Sequence, residues 1–180
     1  MKKMLMMAAA ALAVSLSAQE YKVDLDSPKP WKKVGNYNQR LKIETKELKG
    51  KKAVQVTFAG KDGKADTAFI LVTPDYPVSG KKTITVSCQV LASAGMKGFG
   101  AGSPNNTPGV RWYDADGKEI LPMTRFALPE GNGEFRAFSK QLPVPPNAKT
   151  ASVQLGFDYP DVKDGQIFAL ADILIKDGTV

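Results

Sequence analysis

The chain has 180 residues, with 25 basic and 18 acidic side chains for a formal net charge of +7, one cysteine and no histidine. Without imidazole, Ser-His-Asp and Cys-His catalytic arrangements and histidine metal ligation are excluded. The lone Cys88 excludes an intramolecular disulfide framework.

Residues 1–18 carry the first legible feature. Lys2 and Lys3 make a positive head, an apolar run follows from Met4 to Leu16, and Ser15, Ser17 and Ala18 supply small residues at its end. That is the three-part pattern of a bacterial secretory signal peptide, and the run is too short to span a bilayer. It predicts cleavage after Ala18 and an exported domain over residues 19–180, in the periplasm or outside the cell. A domain of that size holds a core without disulfides or metal. Nucleic acid is not expected as a partner of an exported protein, and no membrane span is expected in the mature chain.

Between Lys29 and Gln39 the chain is polar, with Trp31 and Tyr37 as its rings. Trp31 reads as a plug for an open end of the fold, and Tyr37 as a candidate ligand contact. Basic residues cluster at Lys32–Lys33, Lys46–Lys49–Lys51–Lys52, Lys61–Lys64 and Lys81–Lys82, several beside glycines. Such a patch attracts acidic polysaccharide, but lysines in turns and on sheet edges also discourage edge-to-edge pairing, and that reading is preferred here.

From residue 41 onward, strand follows strand. Leu41 and Ile43 alternate with Arg40, Lys42 and Glu44, and Val54, Val56 and Phe58 alternate with Gln55 and Thr57. Thr67 to Thr73 is more continuously apolar and is expected to be a central strand covered on both faces. Ile84, Val86, Cys88 and Val90 alternate with polar neighbours, so Cys88 reads as a small core residue. Gly95 to Gly109 reads as a loop. Asp114-Ala115-Asp116-Gly117 lacks the ligand spacing of an EF-hand and reads as a hairpin turn. Val153, Leu155 and Phe157 alternate with Ser152, Gln154 and Gly156. Period-two alternation puts one face of each strand in a core. Twelve prolines and sixteen glycines interrupt every window long enough for a helix. The fold class is all-β, an antiparallel β-sandwich in one domain.

Four local patterns occur in order: Tyr76 to Ser87, a proline and glycine leading into a long strand; the hairpin Val110 to Ile120; Phe135-Arg136-Ala137-Phe138 followed by Val144-Pro145-Pro146-Asn147-Ala148; and Leu170 to Ile175. From about Lys52 to Lys176 this order resembles the galactose-binding-like jelly-roll of carbohydrate-binding modules. The resemblance implies a jelly-roll sandwich that binds polysaccharide or oligosaccharide without catalysis. It also implies a structural calcium near the closing acidic strand. Ala171 stands where the first of two paired aspartates is usual, and Phe135 where a tryptophan is usual. No metal ligand and no cofactor are assigned.

Sugar recognition needs rings that stack on the pyranose face and planar polar groups that bond neighbouring hydroxyls. If Val110 and Trp112 face the core, the pleat turns Arg111 and Tyr113 to the opposite side. Gln154 and Asp158 lie on the outward face of a later strand by the same logic. The candidate ligand contacts are Tyr37, Arg111, Tyr113, Gln154 and Asp158, and no catalytic residue is assigned. The alternative is a cell-envelope interaction or structural subunit of the same fold, with a protein partner. Glu119, Glu130, Glu134 and Asp158 are carboxylates that a small polysaccharide lyase or hydrolase would use, but nothing marks one pair above another.

Overall fold

The computed structural model describes residues 19–26, 41–58, 69–73, 75–96, 108–157 and 163–178. Tyr37 and Asp158, with Trp31 and most of the Gly95–Gly109 loop, lie outside the described residues. Among the described residues eleven strands form: β1 (Glu20–Lys22), β2 (Leu41–Leu48), β3 (Lys51–Phe58), β4 (Phe69–Val72), β5 (Tyr76–Pro77), β6 (Thr83–Ala92), β7 (Gly109–Tyr113), β8 (Glu119–Arg125), β9 (Arg136–Pro143), β10 (Thr150–Phe157) and β11 (Ile167–Asp177). No helix occurs among the described residues.

The strands make two antiparallel sheets. The six-stranded sheet runs β2-β3-β11-β6-β9, with β1 also paired to β11. The five-stranded sheet runs β4-β10-β7-β8, with β5 also paired to β10. β2 and β3 join through Lys49 and Gly50, both with positive φ (49° and 74°), the backbone that a two-residue hairpin matched to strand twist requires. Lys49 accepts this left-handed conformation and lays its ammonium on Glu134.

Alternation in β6 holds from Thr83 to Val90, with Ile84, Val86, Cys88 and Val90 buried between partly exposed residues, and ends at Leu91 and Ala92, which are both buried. The four alternating residues meet Val54, Val56 and Phe58 of β3, Phe168, Leu170, Ile173 and Ile175 of β11, and Val110, Trp112, Val153 and Leu155 of the other sheet in one core. β11 keeps its phase by a bulge. Ala171 pairs with Gln89 and Leu174 with Ser87, so β11 spends one residue more than β6 across this step. Asp172 takes the bulge with φ of 50°, which returns Ile173 and Ile175 to the core side.

The run from Thr67 to Thr73 does not form a central strand. Its strand, β4, pairs only with β10 among the described residues, and β10 takes the interior position. A continuous apolar run reports which faces a strand can bury; it carries no information on which neighbours it finds. Cover on both faces is seen at β3, β6 and β11, where Ala53, Leu91, Ala169 and Ala171 form a second, smaller apolar cluster against Phe135, Leu48 and Ile167.

Candidate functional site

The hairpin of β7 and β8 builds the site. Its turn is held by Asp114, whose Oδ1 accepts the backbone N–H groups of Asp116 and Lys118 at 3.0 and 2.9 Å, while Gly117 supplies the positive φ (74°) that closes it. This confirms the hairpin-turn reading of Asp114 to Gly117 and sets Tyr113 opposite Glu119. Between the Val110–Thr124 and Trp112–Ile120 pairs, β8 carries two residues more than β7. Trp112 is fully buried and donates its indole N–H to Thr124 Oγ1 at 2.9 Å, which fixes the core side of the hairpin.

Arg111 and Tyr113 therefore project from the opposite face, both partly exposed. Arg111 Nη1 donates to Glu119 Oε1 and Oε2, each at 2.8 Å, and Arg111 Nε donates to Gln154 Oε1 at 2.9 Å. Gln154 Nε2 in turn reaches Met123 Sδ at 3.5 Å. Across the register, Ser152 of β10 lies opposite Arg111, and Thr150 opposite Tyr113. One polar row thus runs Glu119, Arg111, Gln154, with the Tyr113 ring beside it.

Two findings differ from the expectation of an open, outward face. Gln154 lies on the predicted side of β10 but is only 1% exposed, and Ser152 only 2%. Alternation assigned their face correctly; it could not show that this face is itself covered. Gln154 acts as an orienting partner for Arg111 rather than as a free contact. The Ser152 hydroxyl is buried, and among the described residues it meets no partner in full hydrogen-bond geometry.

The Tyr113 phenol is held above its ordinary pKa, chiefly by burial and then by Glu119 and, more weakly, Asp75; Arg111 and the nearby Ser152 hydroxyl pull the other way. The Ser152 hydroxyl acts on the phenol as a hydrogen-bonding neighbour, so Tyr113 is the partner within its reach. The phenol is therefore neutral at physiological pH and able to donate. Glu119, Ser152 and Met123 are the residues sequence reasoning did not assign to the site. Ser152 was in phase with Gln154, and Glu119 follows once the Asp114 turn fixes the hairpin register.

A hollow of about 320 Å³ lies elsewhere, against the six-stranded sheet, lined by Lys22, Val23, Asp24, Leu25, Asp26, Lys52 and Asp172. Its position on the closing acidic strand is where the resemblance implies calcium. Asp172 Oδ2 is 3.0 Å from Lys51 Nζ, and Asp26 is paired with Lys52. Two carboxylates that a cation would recruit are thus already bonded to ammonium groups. Among the described residues, no three His, Cys, Asp or Glu side chains converge in a metal-binding arrangement. The residues present do not fit a calcium ion.

Several lysines are ion-paired: Lys42 and Lys46 with Glu44, Lys49 with Glu134, Lys51 with Asp172, Lys52 with Asp26 and Lys81 with Asp177. No helix among the described residues is long and apolar enough to cross a membrane.

The sequence matches no protein-family model and no curated protein. Solved structures do resemble it. The CBM22-1–GH10 modules of the Clostridium thermocellum xylanase 10B, complexed with xylohexaose, align with a TM-score of 0.55 and 14% identity over 91% of this chain and 28% of that one. The CBM22-1–CBM22-2 tandem of Paenibacillus barcinonensis Xyn10C aligns with a TM-score of 0.51 and 13% identity over 86% of this chain and 43% of that one. The enzymatically active domain of bacteriophage CBA120 tailspike protein 4 aligns with a TM-score of 0.47 and 13% identity over 88% of this chain. This chain spans only 19% of that tailspike chain, so the first two solved structures and the tailspike are all much longer than the stretch they share with it. Together with the two antiparallel sheets, the two xylanase-module likenesses establish that the chain has the jelly-roll β-sandwich fold of carbohydrate-binding modules.

Proposed function

We propose that this is an exported, non-catalytic protein that binds an uncharged oligosaccharide or polysaccharide on the outer face of its five-stranded sheet. The observation that carries the reading is the Tyr113 ring standing beside the Glu119–Arg111–Gln154 row, with Arg111 and Tyr113 both partly exposed. A ring and oriented planar polar groups are what a pyranose with its hydroxyl groups would engage. The xylohexaose held by a solved structure of the same fold supports the same ligand class.

Charge favours a neutral sugar. Arg111 spends its Nη1 donors on Glu119, so the face carries no net charge from this pair. Of the clustered lysines, Lys46, Lys49, Lys51, Lys52 and Lys81 are paired with carboxylates. Catalysis is disfavoured because both oxygens of Glu119 are engaged by Arg111, which orients the carboxylate and occupies it. A protein-binding role would call for an apolar patch of several hundred Å². Among the described residues the one large hydrophobic that stands well exposed is Leu121, at 75%.

The proposal also holds that folding needs no metal. A thermal melt in excess chelator should superimpose on one in millimolar calcium, and a calcium-dependent rise in Tm would contradict that part. The binding claim is tested by calorimetric titration with neutral and uronic-acid oligosaccharides. Shallow sugar sites give Kd values from about 1 mM to about 1 μM. Binding confined to neutral ligands and indifferent to salt is expected. Preference for acidic ligands that fades with salt would overturn it.

A further inference from the structure

The tightest polar cluster away from this face joins the two ends of the domain. β1 pairs with β11 in register Glu20↔Lys176, and Asp177 N–H donates to Gln19 C=O at 3.1 Å. The Gln19 backbone nitrogen is 3.1 Å from Asp177 Oδ2. Asp177 is fixed by two more groups. Lys81 Nζ bonds its Oδ1, and Tyr76 Oη donates to the same oxygen at 3.0 Å and to Gln19 C=O at 2.8 Å. The Lys81 ammonium also sits 5.3 Å from the Tyr76 ring centroid and 3.4 Å from Gln19 Oε1. With Lys81 and Asp177 both mostly shielded (16% and 23% exposed), this is a built site, not a solvated surface pair. Gln19 is also the residue that cleavage after Ala18 would expose.

We propose that Asp177 is a receptor for the α-ammonium created on Gln19 when residues 1–18 are removed, so that processing itself locks β1 onto β11. The inference rests on the export reading of residues 1–18. The step is hydrolysis by a leader-removing peptidase with water as co-reactant. The Ala18 C–N bond breaks, the water oxygen joins the Ala18 carbonyl carbon as a carboxylate, and the two water protons end on the Gln19 nitrogen. A neutral amide N–H facing Asp177 becomes a cation with three donors facing the same oxygen, and charge-assisted bonds are roughly twice as strong as neutral ones. Lys81 beside it opposes the new charge, and Glu20, which acts electrostatically on Tyr76, offsets it.

A second consequence is chemical. An amino-terminal glutamine cyclises when its neutral amine attacks its own Cδ, forming the N–Cδ bond and expelling ammonia from Nε2. A protonated amine is not a nucleophile, so holding it against Asp177 slows cyclisation of the folded, processed protein about tenfold for each unit by which its pKa rises.

The test compares the domain starting at Gln19 with the same domain retaining Ala18, which shifts the ammonium by one residue and leaves Asp177 untouched. In the Gln19 form the α-amine is expected to titrate about one unit above its ordinary value of roughly 7.7–8.0. The Ala18 form should titrate at that ordinary value and melt a few degrees lower, and its Gln19, with an amide nitrogen, does not cyclise. Asp177→Asn in the Gln19 form should restore the ordinary titration and speed loss of one ammonia, read by mass spectrometry. If that variant fails to fold, the Ala18 comparison still decides. An ordinary α-amine pKa in the folded Gln19 form overturns the receptor. Amino-terminal sequencing of the exported protein separates the two claims: a start other than Gln19 overturns the cleavage boundary and the proposal with it, whatever the titration shows.

Discussion

Arg111 and Glu119 face each other across the β7–β8 hairpin with one guanidinium nitrogen bonded to both carboxylate oxygens at 2.8 Å. Their charges cancel on the face that also carries Tyr113. Replacing Glu119 with Gln leaves the guanidinium uncompensated. Affinity for uronic-acid oligosaccharides should then rise by about tenfold at low salt, a gain of about 1.4 kcal/mol, and fall back as ionic strength increases. Affinity for neutral ligands should drop, because Arg111 loses one of the two partners that orient it. Titration of both ligand classes at low and high salt checks the direction of each change.

How much of this was legible in the sequence depends on what alternation encodes. Ile84 to Val90 and Val110 with Trp112 read correctly because an antiparallel strand packed on one side writes its burial into every second residue. Ser152 and Gln154 read only halfway. Their face was right, yet both are buried, since a polar residue at an outward position says nothing about a neighbouring side chain lying over it. The bulge at Asp172 was not readable, because a single inserted residue leaves Leu170 and Ile173 both looking like ordinary core positions. Thr67 to Thr73 misled for the opposite reason: apolar content was taken for interior position. Of the five candidate contacts, Arg111, Tyr113 and Gln154 fall on one face within bonding or register distance, while Tyr37 and Asp158 lie outside the described residues.

Tyr76 gives a pH prediction. Its phenol is pushed far above the ordinary tyrosine value, first by burial and then by the hydrogen bond and charge of Asp177, with Glu20 adding to it. An acid whose folded pKa is raised is favoured in its neutral form by folding. Its contribution is complete below the unfolded pKa of roughly 10 and is lost as pH rises beyond that value toward the folded one. The Tm should therefore hold steady up to about pH 9 and fall above about pH 10. Tyr76→Phe should cost about 1–2 kcal/mol at pH 7 by removing bonds to Gln19 and Asp177, and should flatten the alkaline fall. Thermal melts of both proteins across that range are the measurement.

Cys88 offers a probe of global opening. Burial pushes its thiol up to about 12, and its side chain lies within the core beside Val86 and Val90. The reactive thiolate is thus scarce and shielded in the folded protein. At pH 8 an aromatic disulfide reagent should label native protein no faster than the chain unfolds, and label denatured protein at once. Fast native labelling would show that β6 opens locally.

The most direct measurement of the central claim is an amide NMR titration with a neutral oligosaccharide, run on the wild type and on Tyr113→Ala. Shifts should cluster on Arg111, Tyr113 and Ser152, and the alanine variant should weaken binding by about tenfold, in line with about 1–1.5 kcal/mol for a lost ring contact. Shifts gathered around Lys22, Asp26 and Asp172, or binding unchanged in Tyr113→Ala, would contradict the assignment of this face.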